Sequence, residues 1–272
     1  MGAGFGPPVP STPSEIRRWY VPLSRGHMDR EPHSAVGSGA LLEEVLFGFM
    51  DGIVTNLALI AGLVAAVSTS HEIALAGIAA TLAGATSMFV GAYISSHARY
   101  EHALRELERE RREVDEIPDE ERAEIREIYR RRGFTPEEVA ILERRITANK
   151  DLWVDMMMHE ELGFPDEDLS RPPLRHGAAI GLSYLVGSLL PLIPFLILPA
   201  ANFEGTLGPL TVLWTMFVAT LVTSSVILLA LGAVKERFGA GRPLRGALQL
   251  LGVGLGGAAA VYVISAIITS IR

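Results

Sequence analysis

The chain contains no cysteine among its 272 residues. This absence excludes disulfide bridges and every metal site that is built on thiolate ligands. The sequence also holds no P-loop and no nucleophile elbow, and it has no Glu-x-x-His pair of the kind that di-iron bundles use. We therefore do not expect an enzyme of any of these classes.

Charged residues are scarce, at 20% of the chain, and their net charge of −7 belongs to one segment. Residues 99–171 hold 22 Asp and Glu against 14 Lys and Arg, whereas the rest of the chain holds 9 against 10. A segment so acidic argues against nucleic acid as a partner and favours cations.

The first forty residues are rich in Gly, Pro and Ser, and they contain no apolar run of the kind that a signal peptide needs. A segment of this composition cannot bury enough apolar surface to offset the entropy cost of ordering. We therefore expect residues 1–42 to form a disordered tail.

Five long apolar runs account for most of the hydrophobic residues. They cover about 45–67, 73–97, 176–198, 209–233 and 246–270. Each has the roughly 20 residues that a helix needs to cross a bilayer core of about 30 Å. The sequence therefore predicts an all-α membrane protein with transmembrane helices 1 and 2 in residues 43–98, a helical domain in residues 99–172, and transmembrane helices 3 to 5 in residues 173–272.

Lys and Arg alternate between the loops that join these runs. The tail, the segment between runs two and three, and the loop around "VKERFGAGRPLRG" carry them, whereas "STSHE" and "PAANFEGTLG" carry none. The positive-inside rule therefore predicts that the N-terminus and the acidic domain are cytoplasmic.

Capping signals divide the acidic domain into helices. Pro118 and Asp119 predict a helix start, with Asp119 as N-cap, and Gly133 predicts its end. "TPEE" predicts a capping box that opens at Thr135, and Asp151 is a candidate cap for a further helix.

Two pairs of glutamates in this domain have helical spacing. Glu110 and Glu113 share one helix face, as do Glu121 and Glu124 on the next helix. If the two helices are antiparallel, four carboxylates come together. A solvated charged hairpin is the simpler alternative, since acid-rich helices are common.

The stretch "DMMMHEELG" places Met157 and Met158 one helical turn before Glu161. Carboxylate oxygens alone suit Mg, Ca or Mn, whereas added thioethers favour softer first-row transition metals. The alternative is that these methionines pack the core of the hairpin, as methionines usually do.

Asp51 lies inside the first apolar run, in "FGFMDGIVTNLALIAGL". A carboxylate in a membrane segment is costly, so a functional role is the default hypothesis. Met88, in the second run, is a candidate partner. Two glycine patterns, Gly48/Gly52 and "GVGLGG" at 252–257, predict close packing between membrane helices.

Several of these stretches together resemble the vacuolar iron transporter family. They are "MDGIVTNLALIAGL", "AGATSMFVGAYISS", the glutamate-rich hairpin, "DLWVDMMMHEELGF" and "LSYLVGSLLPLIPF". The resemblance covers about residues 41–272 in one order.

The resemblance implies a five-span homodimer that exchanges ferrous iron for protons along a pathway at the dimer interface. It also implies in-membrane metal contacts at Asp51 and Met88. The cytoplasmic metal-binding residues that it implies are Glu110, Glu113, Glu121, Glu124, Met157, Met158 and Glu161. Plant relatives carry a membrane glutamate two turns before the methionine of span two, where this chain has Ala80.

Several alternatives stay open at the level of sequence. Manganese is an alternative substrate because it too accepts oxygen ligands, and Co²⁺ and Zn²⁺ are further candidates for binding. A membrane-anchored metal sensor that transports nothing would carry the same acidic helices. We expect no cofactor apart from the bound and transported ion, and the composition favours a bacterial plasma membrane over an organelle.

Overall fold

The computed structural model describes residues 34–66, 69–197, 209–238 and 241–271. Within these ranges the chain forms helices joined by short turns, with no strand. Residues 1–33 of the expected disordered tail lie outside the described residues. Residues 34–42, which we also expected in that tail, are part of the first helix.

In chain order the helices are α1 Ser34–Ala65, α2 Ser70–Glu116, α3 Pro118–Arg131, α4 Pro136–Ile146, α5 Lys150–Glu160, α6 Asp166–Ser170, α7 Pro173–Leu189, α8 Ile193–Ile197, α9 Pro209–Phe238 and α10 Pro243–Ser270. A 3₁₀ turn at Leu190–Leu192 separates α7 from α8.

The chain divides into two compact units. Among the described residues, the membrane unit comprises those of Ser38–Ile94 and Leu174–Arg272, and the helical unit comprises residues 34–37 and Ser95–Pro173. Helix α2 contributes residues to both units. Its 47 residues correspond to a length of about 70 Å, more than twice the thickness of a bilayer core, so a single span does not use all of them. Its apolar part belongs to the membrane unit and its charged part to the helical unit.

The described residues contain five helical segments that are long and apolar enough to cross a membrane, as the sequence predicts. Their surfaces are apolar too, because large side chains such as Leu182, Val226 and Ile268 are more than half exposed. So much exposed hydrocarbon is incompatible with water but suits a lipid environment. The chain is therefore an integral membrane protein.

Glycines bring α1 and α7 into close contact. A Cβ atom at Gly52 would meet the backbone of Tyr184 and Ser188, and one at Gly187 would overlap the carbonyl oxygen of Phe49. A Cβ at Gly48 would likewise meet α7. The packing role predicted for Gly48 and Gly52 is therefore confirmed.

The second glycine pattern behaves differently. In α10, a Cβ at Gly254 would meet Leu228 of α9, whereas Cβ atoms at Gly252, Gly256 and Gly257 would meet nothing within 4 Å. The prediction of helix packing for residues 252–257 therefore holds within the described chain only for Gly254.

Buried polar side chains mark the break between α7 and α8. Pro191 and Pro194 have no N–H group to donate, so a regular helix cannot continue through them. The Asn56 Nδ2 donates to the main-chain oxygen of Ser188 at 2.6 Å, and the Thr220 hydroxyl donates to that of Pro191 at 2.9 Å. Carbonyl groups at the break thus receive donors from neighbouring spans.

The sequence predicts the N-cap residues of α3, α4 and α5 in the helical unit. The prediction holds for α4, whereas α3 and α5 begin at a different N-cap residue. Thr135 forms the predicted capping box with Glu138. The prediction of Asp119 as N-cap is wrong, because Ile117 occupies that position and Pro118 follows it as the first helical residue. Asp151 is not a cap either, since the side chain of Asn149 accepts from its backbone N–H.

We predict that Gly187→Ala destabilises the membrane unit by about 1–3 kcal/mol, because the added methyl group must displace the Phe49 backbone. Thermal unfolding of the purified chain in detergent measures this. The matched control is Gly256→Ala, whose methyl group meets open space. Equal unfolding temperatures for the two variants would contradict the packing assignment.

Candidate metal site

A buried glutamate interrupts the apolar stripe of α2 in the helical unit. Ala103, Leu107 and Val114 are buried at a helical spacing that points one face of α2 into the core. Glu110 occupies the same stripe and is only 1% exposed. A carboxylate therefore stands where the pattern calls for an apolar side chain.

Helix α3 repeats this arrangement. Its buried residues are Glu121, Ile125 and Tyr129, which follow one another at intervals of four residues along one face. Glu121 is 2% exposed. The two helices thus each direct one glutamate into the interior of the helical unit.

Three carboxylates converge at this point. Glu110, Glu113 and Glu121 each offer an oxygen atom, and these atoms all lie within 4.8 Å of one another. Glu110 and Glu121 are buried, whereas Glu113 is half-buried. The helices α2 and α3 therefore bring together three of the four glutamates that the sequence paired.

Glu124 and Glu161 are exposed and complete the cluster toward the solvent. Their side chains share a hydrogen bond, and both carboxylates repel the charge of the buried Glu121. Glu161 follows α5 as its C-cap residue. All five glutamates singled out from the sequence are thus electrostatically linked, from a buried floor to an exposed rim. We call these five residues the acidic cluster.

Two oxygen atoms on the buried floor have no hydrogen-bond donor. They are Oε2 of Glu110 and Oε2 of Glu121. A buried acceptor without a donor costs free energy, on the order of 1–3 kcal/mol and more when it is charged. A divalent cation would satisfy both oxygens, and the all-oxygen donor set suits a hard or borderline metal ion.

Burial and mutual repulsion raise the pKa values of these carboxyl groups. For Glu121, burial comes first and the four neighbouring glutamates add to it, so its pKa rises to about 8. Burial and the charge of Glu124 raise the pKa of Glu161 to about 7. Burial and then Glu113 raise the pKa of Glu110, which the Arg109 guanidinium partly offsets. Protons therefore occupy part of the cluster near neutral pH.

Met157 and Met158 lie in the hydrophobic core of the helical unit. Each is 1% exposed, and they belong to the same buried cluster as Trp153, Val154 and Leu169. This position accounts for both methionines as packing residues. Their role as sulfur ligands stays a prediction.

The two residues that were predicted to contact the metal ion inside the membrane lie on different helices. Asp51 is on α1 and Met88 is on α2, and both are half-buried. The buried Tyr184 of α7 shares a side-chain hydrogen bond with Thr55 and interacts electrostatically with Asp51. The pairing of Asp51 with Met88 stays a prediction.

Sequence reasoning did not single out Tyr184 or Asn56. Asn56 is 1% exposed and joins three spans, because it donates to the Thr81 hydroxyl at 2.8 Å as well as to the Ser188 carbonyl. Both residues carry polar groups within apolar runs, and this is the signal that could have identified them.

Five helices that are long and apolar enough to cross a membrane define an integral membrane protein, and its helical unit carries clustered carboxylates whose buried oxygens lack donors. The sequence model of the VIT family matches residues 42–266, and the chain belongs to this family. Membership identifies the chain as a transporter and not an enzyme.

Similar proteins come from plants and from malaria parasites. "Vacuolar iron transporter 2" of Oryza sativa subsp. japonica is 33% identical over 244 residues, which cover 90% of this chain and 94% of that protein. "Vacuolar iron transporter 1" of Arabidopsis thaliana is 30% identical over 241 residues, covering 89% and 91%. "Vacuolar iron transporter" of Plasmodium falciparum (isolate 3D7) is 32% identical over 213 residues, covering 77% and 76%. The resemblance found in the sequence is thereby confirmed.

We predict that the stability of the metal-free chain falls as pH rises toward 8. The folded chain holds a proton on Glu121 up to a pKa of about 8, whereas the unfolded chain releases it near the ordinary value of 4.5. The stability that this group contributes is present below pH 4.5 and is lost as pH rises through 8.

Thermal unfolding with excess chelator, from pH 5 to pH 8.5, tests this. Glu121→Gln is neutral at every pH, so it should unfold close to the parent at low pH and at a higher temperature at high pH. Glu127→Gln is the control, because Glu127 is an exposed carboxylate on the same helix. Parallel curves for the parent and Glu121→Gln would contradict the assignment.

Proposed function

We propose that this chain transports ferrous iron out of the cytoplasm in exchange for protons, and that the acidic cluster collects the ion. Family membership supports a transporter, and the relatives named above carry iron in their names. The collecting site comprises Glu110, Glu113, Glu121, Glu124 and Glu161, with Met157 and Met158 as proposed sulfur ligands.

The observation that carries this proposal is the buried floor of the acidic cluster. Solvated acidic faces are common, but their carboxylates point into water, where they are hydrated. Here Glu110 and Glu121 replace core residues and hold oxygens without donors, while their ligand atoms and that of Glu113 lie within 4.8 Å. This arrangement raises the free energy of the metal-free state, and binding of a divalent cation would offset that cost.

Protons compete with the metal ion for these carboxylates, and this competition allows the acidic cluster to release the ion. Metal binding requires ionised carboxylates, so the ion must displace the protons that Glu121 and Glu161 hold near neutral pH. Affinity then rises with pH and falls in acid. The same carboxylates can therefore collect iron from a neutral cytoplasm without binding it irreversibly.

Asp51 and Met88 are proposed to carry the ion through the membrane unit. A carboxylate in an apolar segment can hold either a proton or a metal ion, which is a physical basis for exchange. The Met88 thioether favours a borderline ion such as Fe²⁺ over Mg²⁺ or Ca²⁺. Since Ala80 stands where plant relatives carry a glutamate, coupling in this chain is assigned to Asp51.

The proposal includes a homodimer, with the N-terminus and the helical unit in the cytoplasm. The distribution of Lys and Arg among the loops supports this orientation. The vacuolar names of the relatives from plants and Plasmodium favour an organelle membrane over the bacterial plasma membrane that we expected from the sequence.

Transport in proteoliposomes tests the function. We predict that the parent moves Fe²⁺ under anaerobic conditions, that an opposing proton gradient drives it, and that Asp51→Asn abolishes the flux. The matched control is Asp119→Asn, because Asp119 is 95% exposed in the helical unit. Fe²⁺ and Mn²⁺ supplied together identify the preferred substrate.

Two results would reject this proposal. If a correctly inserted Asp51→Asn variant transports as well as the parent, Asp51 is not on the pathway. If the parent binds Fe²⁺ and moves none, the chain is a sensor or a store.

We further predict that replacing Met157 and Met158 together by Leu weakens Fe²⁺ binding by about 1–2 kcal/mol, or one to two decades of affinity, and leaves Mg²⁺ and Mn²⁺ nearly unchanged. Leucine preserves the volume of these buried side chains, so folding should change little. Competition titrations on the full chain measure this. Equal losses for every ion, or none, would show that these methionines only pack the core.

A further inference from the structure

Arg109 lies within the acidic cluster and contacts three carboxylates. Its Nη1 lies 2.8 Å from Oε2 of Glu106, its Nε lies 3.4 Å from Oε2 of Glu113, and its Nη2 lies 3.5 Å from Oε1 of Glu110. Glu110 and Glu113 belong to the proposed collecting site, whereas Glu106 does not. One guanidinium therefore bridges the site and a carboxylate beside it.

Exposure and contact lengths indicate how firmly the acidic cluster holds Arg109. Its side chain is 43% exposed, so it lies at the rim of the cluster and not on the buried floor. Its shortest contact is to Glu106, and its contacts to Glu110 and Glu113 are longer by more than half an ångström. Leaving the collecting site would therefore cost the guanidinium only its weaker contacts.

We propose that Arg109 is an internal counter-cation that competes with Fe²⁺ for Glu110 and Glu113 and withdraws to Glu106 when the ion binds. The inference rests on the proposed function of the acidic cluster. Its consequence is that Arg109 weakens binding and speeds release, as a transporter requires of a site that must pass its ion onward.

Electrostatics support this assignment. Five clustered carboxylates repel one another, and a single guanidinium relieves part of that repulsion while no metal is present. When a divalent ion enters, the guanidinium becomes a like charge a few ångströms away, and the two compete for the same oxygens. Arg109 thus stabilises the metal-free state in preference to the metal-bound state.

The experiment measures Fe²⁺ binding to the full chain in detergent, anaerobically and at pH 8.5, by equilibrium dialysis. Release is followed by stopped-flow mixing with a chromogenic ferrous chelator. We expect Arg109→Gln to bind on the order of tenfold more tightly and to release more slowly in proportion. Arg109→Met, a second neutral variant, should behave in the same way.

Two controls separate charge at the site from charge in general. Arg109→Lys keeps the positive charge and should restore nearly the parental affinity and release rate. Arg131→Gln removes a guanidinium that pairs with Glu127 on the exposed surface of α3 and should leave both unchanged. A merely structural role for Arg109 would lower affinity in its neutral variants.

The outcomes are distinct from those for the proposed function. Binding that is lost in a Glu110→Gln, Glu121→Gln double variant confirms that the acidic cluster holds the iron. If that binding is present but both neutral Arg109 variants bind no more tightly than Arg131→Gln, the counter-cation role is overturned and the collecting site stands. If the parent binds no more iron than the double variant, both inferences are overturned.

Discussion

The burial of two carboxylates, each with one oxygen that has no hydrogen-bond donor, is the constraint on which the helical unit depends. Glu110 and Glu121 occupy core positions of α2 and α3, so the unit packs around charge where a leucine would serve stability better. Repulsion among five glutamates and the missing donors keep the metal-free state under electrostatic strain. Bound protons or a bound divalent cation would relieve that strain, so the stability of this unit is expected to depend on pH and on cations.

The membrane unit differs from the helical unit because its surface is apolar. Its polar groups must therefore find hydrogen-bond partners inside the unit. Glycines let α1 and α7 approach until backbone meets backbone, and Asn56 of α1 donates to the Ser188 carbonyl where they meet. Thr220 of α9 donates to the Pro191 carbonyl at the break in the third span. The same spans leave Asp51 half-buried beside Tyr184.

Much of this could be anticipated from local patterns. The five spans follow from run length, Gly48 and Gly52 from small-residue spacing, and the capping box at Thr135 from four consecutive residues. Each of these signals is carried by residues that stand close together in the sequence. The predictions of N-cap residues were less accurate where two neighbouring residues could both begin the helix. Asp119 and Asp151 are good cap formers, but Pro118 as the first helical residue leaves the N-cap of α3 to Ile117, and Asn149, which caps as well as aspartate does, takes the N-cap position of α5.

The sequence by itself determined the membrane class, the number of spans and which glutamates share a helix face, because hydrophobic run length and helical periodicity are properties of the chain alone. Only the tertiary structure decided which of those glutamates are buried. Glu110 and Glu124 look alike in the sequence, yet one lies on the buried floor and the other at the exposed rim, since burial depends on how α2 and α3 rotate against the shared core. Tertiary packing also placed Met157 and Met158 in that core, whereas the contacts of Arg109 to Glu110 and Glu113 follow from their neighbouring positions on α2.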